Sequence, residues 1–157
     1  MAFSSGQDNH CANWGASYSN RSAILLPSET PFDHAGVLAA LRARRVFATM
    51  DKQSRFMLTA NGHLMGERFA SCGPLTLSVR YAGAPGRAPA ELTVIEGVPG
   101  RNGTVTELAR TADTTLLPAP GEHFHYARLT QDDGKLLWSA PVWISQRSAP
   151  LSCAVPP

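Results

Sequence analysis

The chain has 157 residues, 43% of them hydrophobic and 17% charged, which is enough apolar content to bury a core as one domain, or as one small domain plus an appendage, and too much for a disordered polymer. The net charge of +2 gives weak grounds for nucleic-acid binding, and neither a basic stripe nor stacking aromatics adds to them. No stretch approaches the ~20 consecutive apolar residues of a membrane-crossing helix, so no membrane partner is expected.

Residues 1–30 are rich in Ser, Asn, Gly and Ala, with one apolar run, Ala23–Leu26, and predict an irregular segment. Residues 30–45 predict a helix. Thr30 is placed to cap it, Pro31 suits its first position, and Asp33 stands where a capping-box acid would. Val37, Leu38 and Leu41 form one apolar stripe, and Arg42, Arg44 and Arg45 complement the dipole at the C-terminal end. The run RARR therefore reads as a solvated helix end rather than a nucleic-acid patch.

From Val46 the hydrophobic period changes to two. VFAT and RFMLTANG are strand candidates, the second ending in the tight-turn pair Asn61-Gly62. PLTLSVRY alternates, with Leu75, Leu77, Val79 and Tyr81 on one face. AELTVIEG, TVTELAR and TTLLP follow, and HFHYARLTQ and LLWSAPVWI flank a turn at residues 132–135. Pro141 inside the last strand predicts an edge or a bulge. Trp138 and Trp143, five apart, fall on opposite faces of a regular strand. Short strands with turns about every 8–12 residues predict a mainly β chain, an antiparallel β-sandwich of immunoglobulin-like size. The expected divisions are 1–45 for the loop and helix, 46–146 for the sandwich and 147–157 for a loose tail.

Cys11, Cys72 and Cys153 are widely spaced and odd in number, with no C-x-x-C, which predicts mostly free thiols. The first residues, MAFSSGQDNH, lack the basic and apolar regions of a secretory leader, so the expected location is cytoplasmic by default, and open if an upstream signal has been lost.

Asp8 and His10, in SSGQDNHCANWG, pair a carboxylate with an imidazole at i, i+2, a geometry that lets both reach one metal. Alone the pair is equally a polar loop, since a metal site needs three or more protein ligands. His123 and His125 also share a face, but no acid or cysteine near them in sequence completes a set, and packing is the expected role. No nucleophile elbow or phosphate-binding glycine loop is present, so no catalytic residue is assigned. Asn20-Arg21-Ser22 and Asn102-Gly103-Thr104 match glycosylation sequons.

Four stretches together, GQDNHCANWG, AGVLAALRARRVFAT, LTANGHLMGE and YARLTQDDGKLLWSAPVWI, resemble in order and spacing the C-terminal part of the PHP (polymerase and histidinol phosphatase) superfamily of metallohydrolases, in its carbamate-hydrolase-like branch. The resemblance spans roughly residues 4–145. It implies that Asp8 and His10 are the last metal ligands of a (β/α) barrel, and that the loop and helix of residues 1–45 are that barrel's C-terminal remnant, followed by its appended sandwich. It implies a divalent metal, Zn, Mn or Fe, in the complete enzyme, and hydrolysis of phosphoesters, carbamates or amides by metal-activated water. Gln7 stands where the family usually has Ser, and the H-x-H and Glu ligands that precede this motif in the family are not in this sequence. The chain is therefore expected to be inactive alone, with weak or no metal binding. The missing barrel would be its partner in cis, or in trans as a split enzyme. The alternative is a stand-alone binding module with residues 1–45 as a docking arm.

Overall fold

The computed structural model describes residues 2–16 and 18–148. In chain order the elements are β1 (Arg21–Ile24), α1 (His34–Arg42), β2 (Val46–Thr49), β3 (Arg55–Ala60), β4 (His63–Leu64), β5 (Arg68–Ser71), β6 (Leu75–Ala82), β7 (Pro89–Gly97), β8 (Val105–Ala109), β9 (Asp113–Leu116), β10 (Gly121–Gln131), β11 (Leu136–Ser139) and β12 (Val142–Gln146). The chain is mainly β. Each stretch read as a strand forms strand structure, with LLWSAPVWI divided into β11 and β12, and β1, β4 and β5 are additional.

Two sheets share one core. The smaller has the order β4-β3-β6-β9, all antiparallel. The larger is built on the eleven-residue β10, which pairs with β7 along one edge and with β11 and then β12 along the other. β8 extends it beyond β7, β2 and β1 extend it beyond β11, and β5 lies parallel to β12. Phe56, Leu58, Leu75, Leu77 and Val79 from the smaller sheet meet Phe47, Val94, Leu129, Leu137, Val142 and Ile144 from the larger. The predicted alternation of β6 holds, with Leu75, Leu77 and Val79 buried. The result is sandwich-like, as two half-apolar sheets require.

The hairpin turn at Asn61-Gly62 forms as its sequence dictates. Both residues have positive φ (48° and 84°), and Ala60 faces His63 across a two-residue loop.

Pro141 marks a bulge. From Arg128 to His125 is three residues on β10, yet their partners Trp138 and Val142 are four apart. The extra residue is accommodated at Ala140-Pro141, where proline has no N–H to give the ladder, and the Ser139 hydroxyl accepts the hydrogen bond of the Ala127 N–H at 2.9 Å. One inserted residue reverses the parity of everything after it. Leu137 and Ser139 point inward before the bulge, Val142 and Ile144 after it. Trp138 and Trp143 therefore lie on the same, outer face of the sheet, not on opposite faces as a regular strand would place them.

The N-terminal third differs from expectation in three respects. The segment read as irregular contributes β1, which pairs residue by residue with β2, so the 45/46 division runs between two hydrogen-bonded strands. The helix is shorter than predicted. Its cap is Asp33, whose carboxylate accepts the Gly36 N–H at 2.7 Å, and Thr30 instead bonds back to Pro27. Its buried face is Gly36 and Ala40, small residues four apart that let the helix approach closely, while Leu41 of the predicted stripe is 46% exposed.

Cys11 is free and exposed but Cys72 is disulfide-bonded, against the expectation of mostly free thiols. Cys153, and the expected loose tail from residue 149 onward, lie outside the described residues.

At the end of β10 a cluster of polar side chains is buried around Gln131. Gln131 Nε2 shares its two N–H groups among Asp51 Oδ2 (3.0 Å), Ser54 Oγ and Tyr81 Oη (2.9 Å), the Ser54 hydroxyl donates to Asp51 Oδ2 at 2.6 Å, and Gln131 Oε1 has no partner among the described residues. Burial pushes the Asp51 carboxyl up, but the Ser54, Gln131 and Gln53 hydrogen bonds outweigh it and hold the carboxyl below its ordinary value. Gln131→Leu removes the donor that links three elements and should cost about 2 kcal/mol, read as a lower urea midpoint at unchanged slope. An unchanged midpoint would show the network to be dispensable.

Candidate functional site

Asp8 and His10 lie on the loop that leads to β1. Asp8 has φ +48°, so the segment is not extended and the simple i, i+2 alignment does not apply. The two side chains nevertheless converge, with Asp8 Oδ1 3.5 Å from His10 Nε2. Their side chains are 97% and 89% exposed. The residue between them holds the loop. Asn9 Oδ1 accepts the Cys11 N–H, Asn9 Nδ2 donates to Asn13 Oδ1, and the Asn9 carbonyl accepts Trp14 Nε1–H. Gln7 closes the loop's base, accepting the Gly15 N–H and donating to the Tyr18 carbonyl. Arg21 adds bonds to the carbonyls of Gly15, Tyr18 and Ser19, and Lys52 reaches Ala16 O from the connection between β2 and β3. Gln7 is thus a brace of this loop. The arrangement presents one carboxylate and one imidazole outward. Among the described residues no group of three or more His, Cys, Asp or Glu is placed to hold a metal ion.

His123 and His125 sit on the inward face of β10. Glu96, the register partner of His125 on β7, brings Oε1 to 2.8 Å from His123 Nδ1 and 3.5 Å from His125 Nε2. His123 Nε2–H donates to the Ala119 carbonyl at 2.7 Å. His125 is fully buried, and neither of its ring nitrogens has an aligned hydrogen-bond partner. Burial, with His123 adding to it, lowers its pKa to about 4. Packing, the role expected from the sequence, matches this burial. What the sequence did not signal was Glu96. It is distant in the chain and becomes a neighbour only through the β7–β10 register.

The three stretches of the resemblance that lie in the body of the fold meet at one place. Arg44, from LRARR, donates from Nε to the Gly66 carbonyl at 2.9 Å. Gly66, which ends NGHLMG, donates its N–H to the Pro141 carbonyl at 2.8 Å, and Trp143 N–H donates to Glu67 O. The Arg44 and Arg68 guanidiniums lie 5.2 Å and 4.9 Å from the centre of the Trp143 ring, within cation–π range. Arg44 is therefore a packing element and not only a solvated helix end. Phe3 rests on Tyr126 at 5.0 Å, and Ala2, Phe3, Phe124, Pro141 and Trp143 line an apolar cleft of about 280 Å³ on this outer face.

No family model matches the chain, and no curated protein does. Among solved structures a match is the crystal structure of an engineered protein, 19% identical, covering 59% of this chain and 20% of that one, with a TM-score of 0.40. The chain thus spans about a fifth of that structure's length. No helix among the described residues is long and apolar enough to cross a membrane.

Proposed function

We propose that this chain is the C-terminal part of a PHP-type metal-dependent hydrolase, its β domain an immunoglobulin-like sandwich, and that Asp8 and His10 are two ligands of a divalent metal site completed by a barrel in cis or in trans. The observation that carries this reading is the loop itself: two donor atoms 3.5 Å apart, projecting almost wholly into solvent from a segment braced from within. The donor types suit Zn, Mn or Fe, and the metal, when bound, would activate water toward a phosphoester, carbamate or amide. Two ligands hold a metal weakly, so the chain alone is expected to lack hydrolase activity.

The same region exposes Trp14 (73%), Tyr18 (58%) and Phe32 (86%), side chains that another folded unit would cover. This favours, as a second reading, an interaction module that uses residues 1–45 to dock. A cytoplasmic location fits the Cys72 disulfide poorly, because disulfides persist in oxidising compartments, and export is the better reading.

Titration of the chain with Mn²⁺, followed by backbone-amide NMR, separates these readings. The hydrolase reading expects weak binding that broadens the signals of residues 7–11 and vanishes in the Asp8→Ala/His10→Ala double variant. Broadening centred elsewhere, or unchanged in the double variant, would remove the metal site and leave the docking module. An adjacent coding sequence rich in H-x-H and Glu motifs would identify the barrel.

A further inference from the structure

The molecule contains two Asn-Gly pairs in nearly the same backbone conformation. Asn61 and Gly62 have φ values of 48° and 84°, and Asn102 and Gly103 have 50° and 79°. Both pairs are exposed at the tips of turns between paired strands, the second closed by the Thr104 N–H to Arg101 carbonyl bond at 3.1 Å. They differ in what holds the asparagine side chain. Asn61 Nδ2 donates to the Pro74 carbonyl at 3.2 Å, and Asn61 Oδ1 accepts the Thr76 N–H at 2.8 Å. No hydrogen bond holds the Asn102 amide among the described residues.

From this contrast we infer that Asn102 is a site of spontaneous covalent modification, deamidation, and that Asn61 is protected from it. The backbone nitrogen of Gly103 attacks Cγ of Asn102. The new N–Cγ bond closes a five-membered succinimide, the Cγ–Nδ2 bond breaks, and Nδ2 leaves as ammonia, carrying the proton lost from the glycine nitrogen. Water then adds to one of the two ring carbonyls. Opening the N–Cγ bond yields aspartate, and opening the original peptide bond yields isoaspartate with the chain rerouted through the side chain. No redox change occurs, and solvent water is the only co-reactant. Glycine at the attacking position offers no side chain to hinder the approach, and this holds equally at both pairs.

At Asn61 the same attack requires Cγ to rotate out of both hydrogen bonds. Losing two such bonds should slow the step by about tenfold or more, the equivalent of about 1.4 kcal/mol. At Asn102 no bond has to break. The product has a chemical consequence for the β7–β8 hairpin. Aspartate adds a negative charge beside Arg101, and isoaspartate lengthens the turn backbone by one methylene between two strands paired directly up to Gly97 and Val105.

The test is to age the folded protein in mildly alkaline buffer and map amide-to-acid conversion by peptide mass spectrometry, with isoaspartate resolved chromatographically. Conversion is expected at 102 at least tenfold ahead of 61. In denaturant, where the Pro74 and Thr76 contacts are gone, the two should convert at comparable rates. Asn102→Gln, which keeps the amide but cannot close a five-membered ring, should abolish the signal at that peptide. Equal conversion of 61 and 102 in the folded protein, or no conversion at 102, would overturn the inference. A rate difference that persists in denaturant would overturn it as well, since the cause would then be local sequence and not the hydrogen bonds.

Discussion

Gly66→Ala should destabilise the fold by about 4 kcal/mol, a large share of the ~5–15 kcal/mol that holds a domain of this size together. Gly66 has φ +95°, a conformation that strains any other residue. An added Cβ would also stand 2.3 Å from the Ala43 carbonyl oxygen and 2.8 Å from that of Arg44. Both obstacles are backbone, at the end of a helix, and cannot swing aside as a side chain can. Relief requires α1 to lift from the β4–β5 connection, which breaks the Arg44 to Gly66 hydrogen bond and withdraws the guanidinium from Trp143. Gly62 is the internal control. It also has positive φ, at 84°, but open space around its Cβ position, so Gly62→Ala should cost only about 1 kcal/mol. Urea unfolding of the two variants decides the matter. Equal losses would mean that backbone strain, and not the helix contact, fixes the second glycine of NGHLMG.

Stability should fall by up to about 3 kcal/mol as the pH drops from 6.5 to about 4, because of His125. The folded-state pKa lies below the ordinary value, so the sign is fixed. Above pH 6.5 the imidazole is neutral in both states and its contribution is fully present. Below 6.5 the unfolded chain takes up a proton that the folded chain refuses until about pH 4, and the imbalance favours unfolding. Among the described residues Glu96 is the acid that faces this ring, and it lies closer to His123, so it does little to offset the burial. The carboxyls of Asp51, Asp113 and Asp133 are held below 3.8 and that of the exposed Glu29 below 4.5, so their contributions are lost from the foot of this window downward, and the histidine governs its upper part. Urea midpoints measured across this range should flatten in His125→Leu. A slope that survives that substitution would place the titrating group elsewhere.

Where one sheet face is buried, alternation is a sufficient code. Leu75, Leu77 and Val79 declared both strand and facing, and Asn61-Gly62 declared its turn, because each requirement is local. β1, β4 and β5 were not legible for the opposite reason. Each is four residues or fewer and exists as a strand only because a longer neighbour offers it a ladder. The helix cap went to Asp33 rather than Thr30 because Gly36 and Ala40, not the larger apolar residues, seat the helix. The candidate site divides along the same line. Asp8 and His10 could be named from their types and spacing, but the bracing by Gln7 and Asn9 depends on a loop geometry that no periodicity encodes. Glu96 reached the histidines only through pairing of β7 with β10, a relation between residues almost thirty positions apart.

The bulge at Ala140-Pro141 also determines where this chain can tolerate a change of length. Removing one residue there would restore an unbroken ladder between β10 and the last strand and leave Val142 and Ile144 facing the core and the Trp143 ring outside, at the cost of the bulge's own contact, the Gly66 N–H to Pro141 carbonyl bond. An insertion or deletion at the tip of the β7–β8 hairpin likewise shifts no buried side chain. Sequence drift in descendants of this protein should therefore add and lose residues freely around positions 98–104, while between Trp138 and Trp143 the tolerated change is loss of the one bulge residue, which keeps every later side chain on its face.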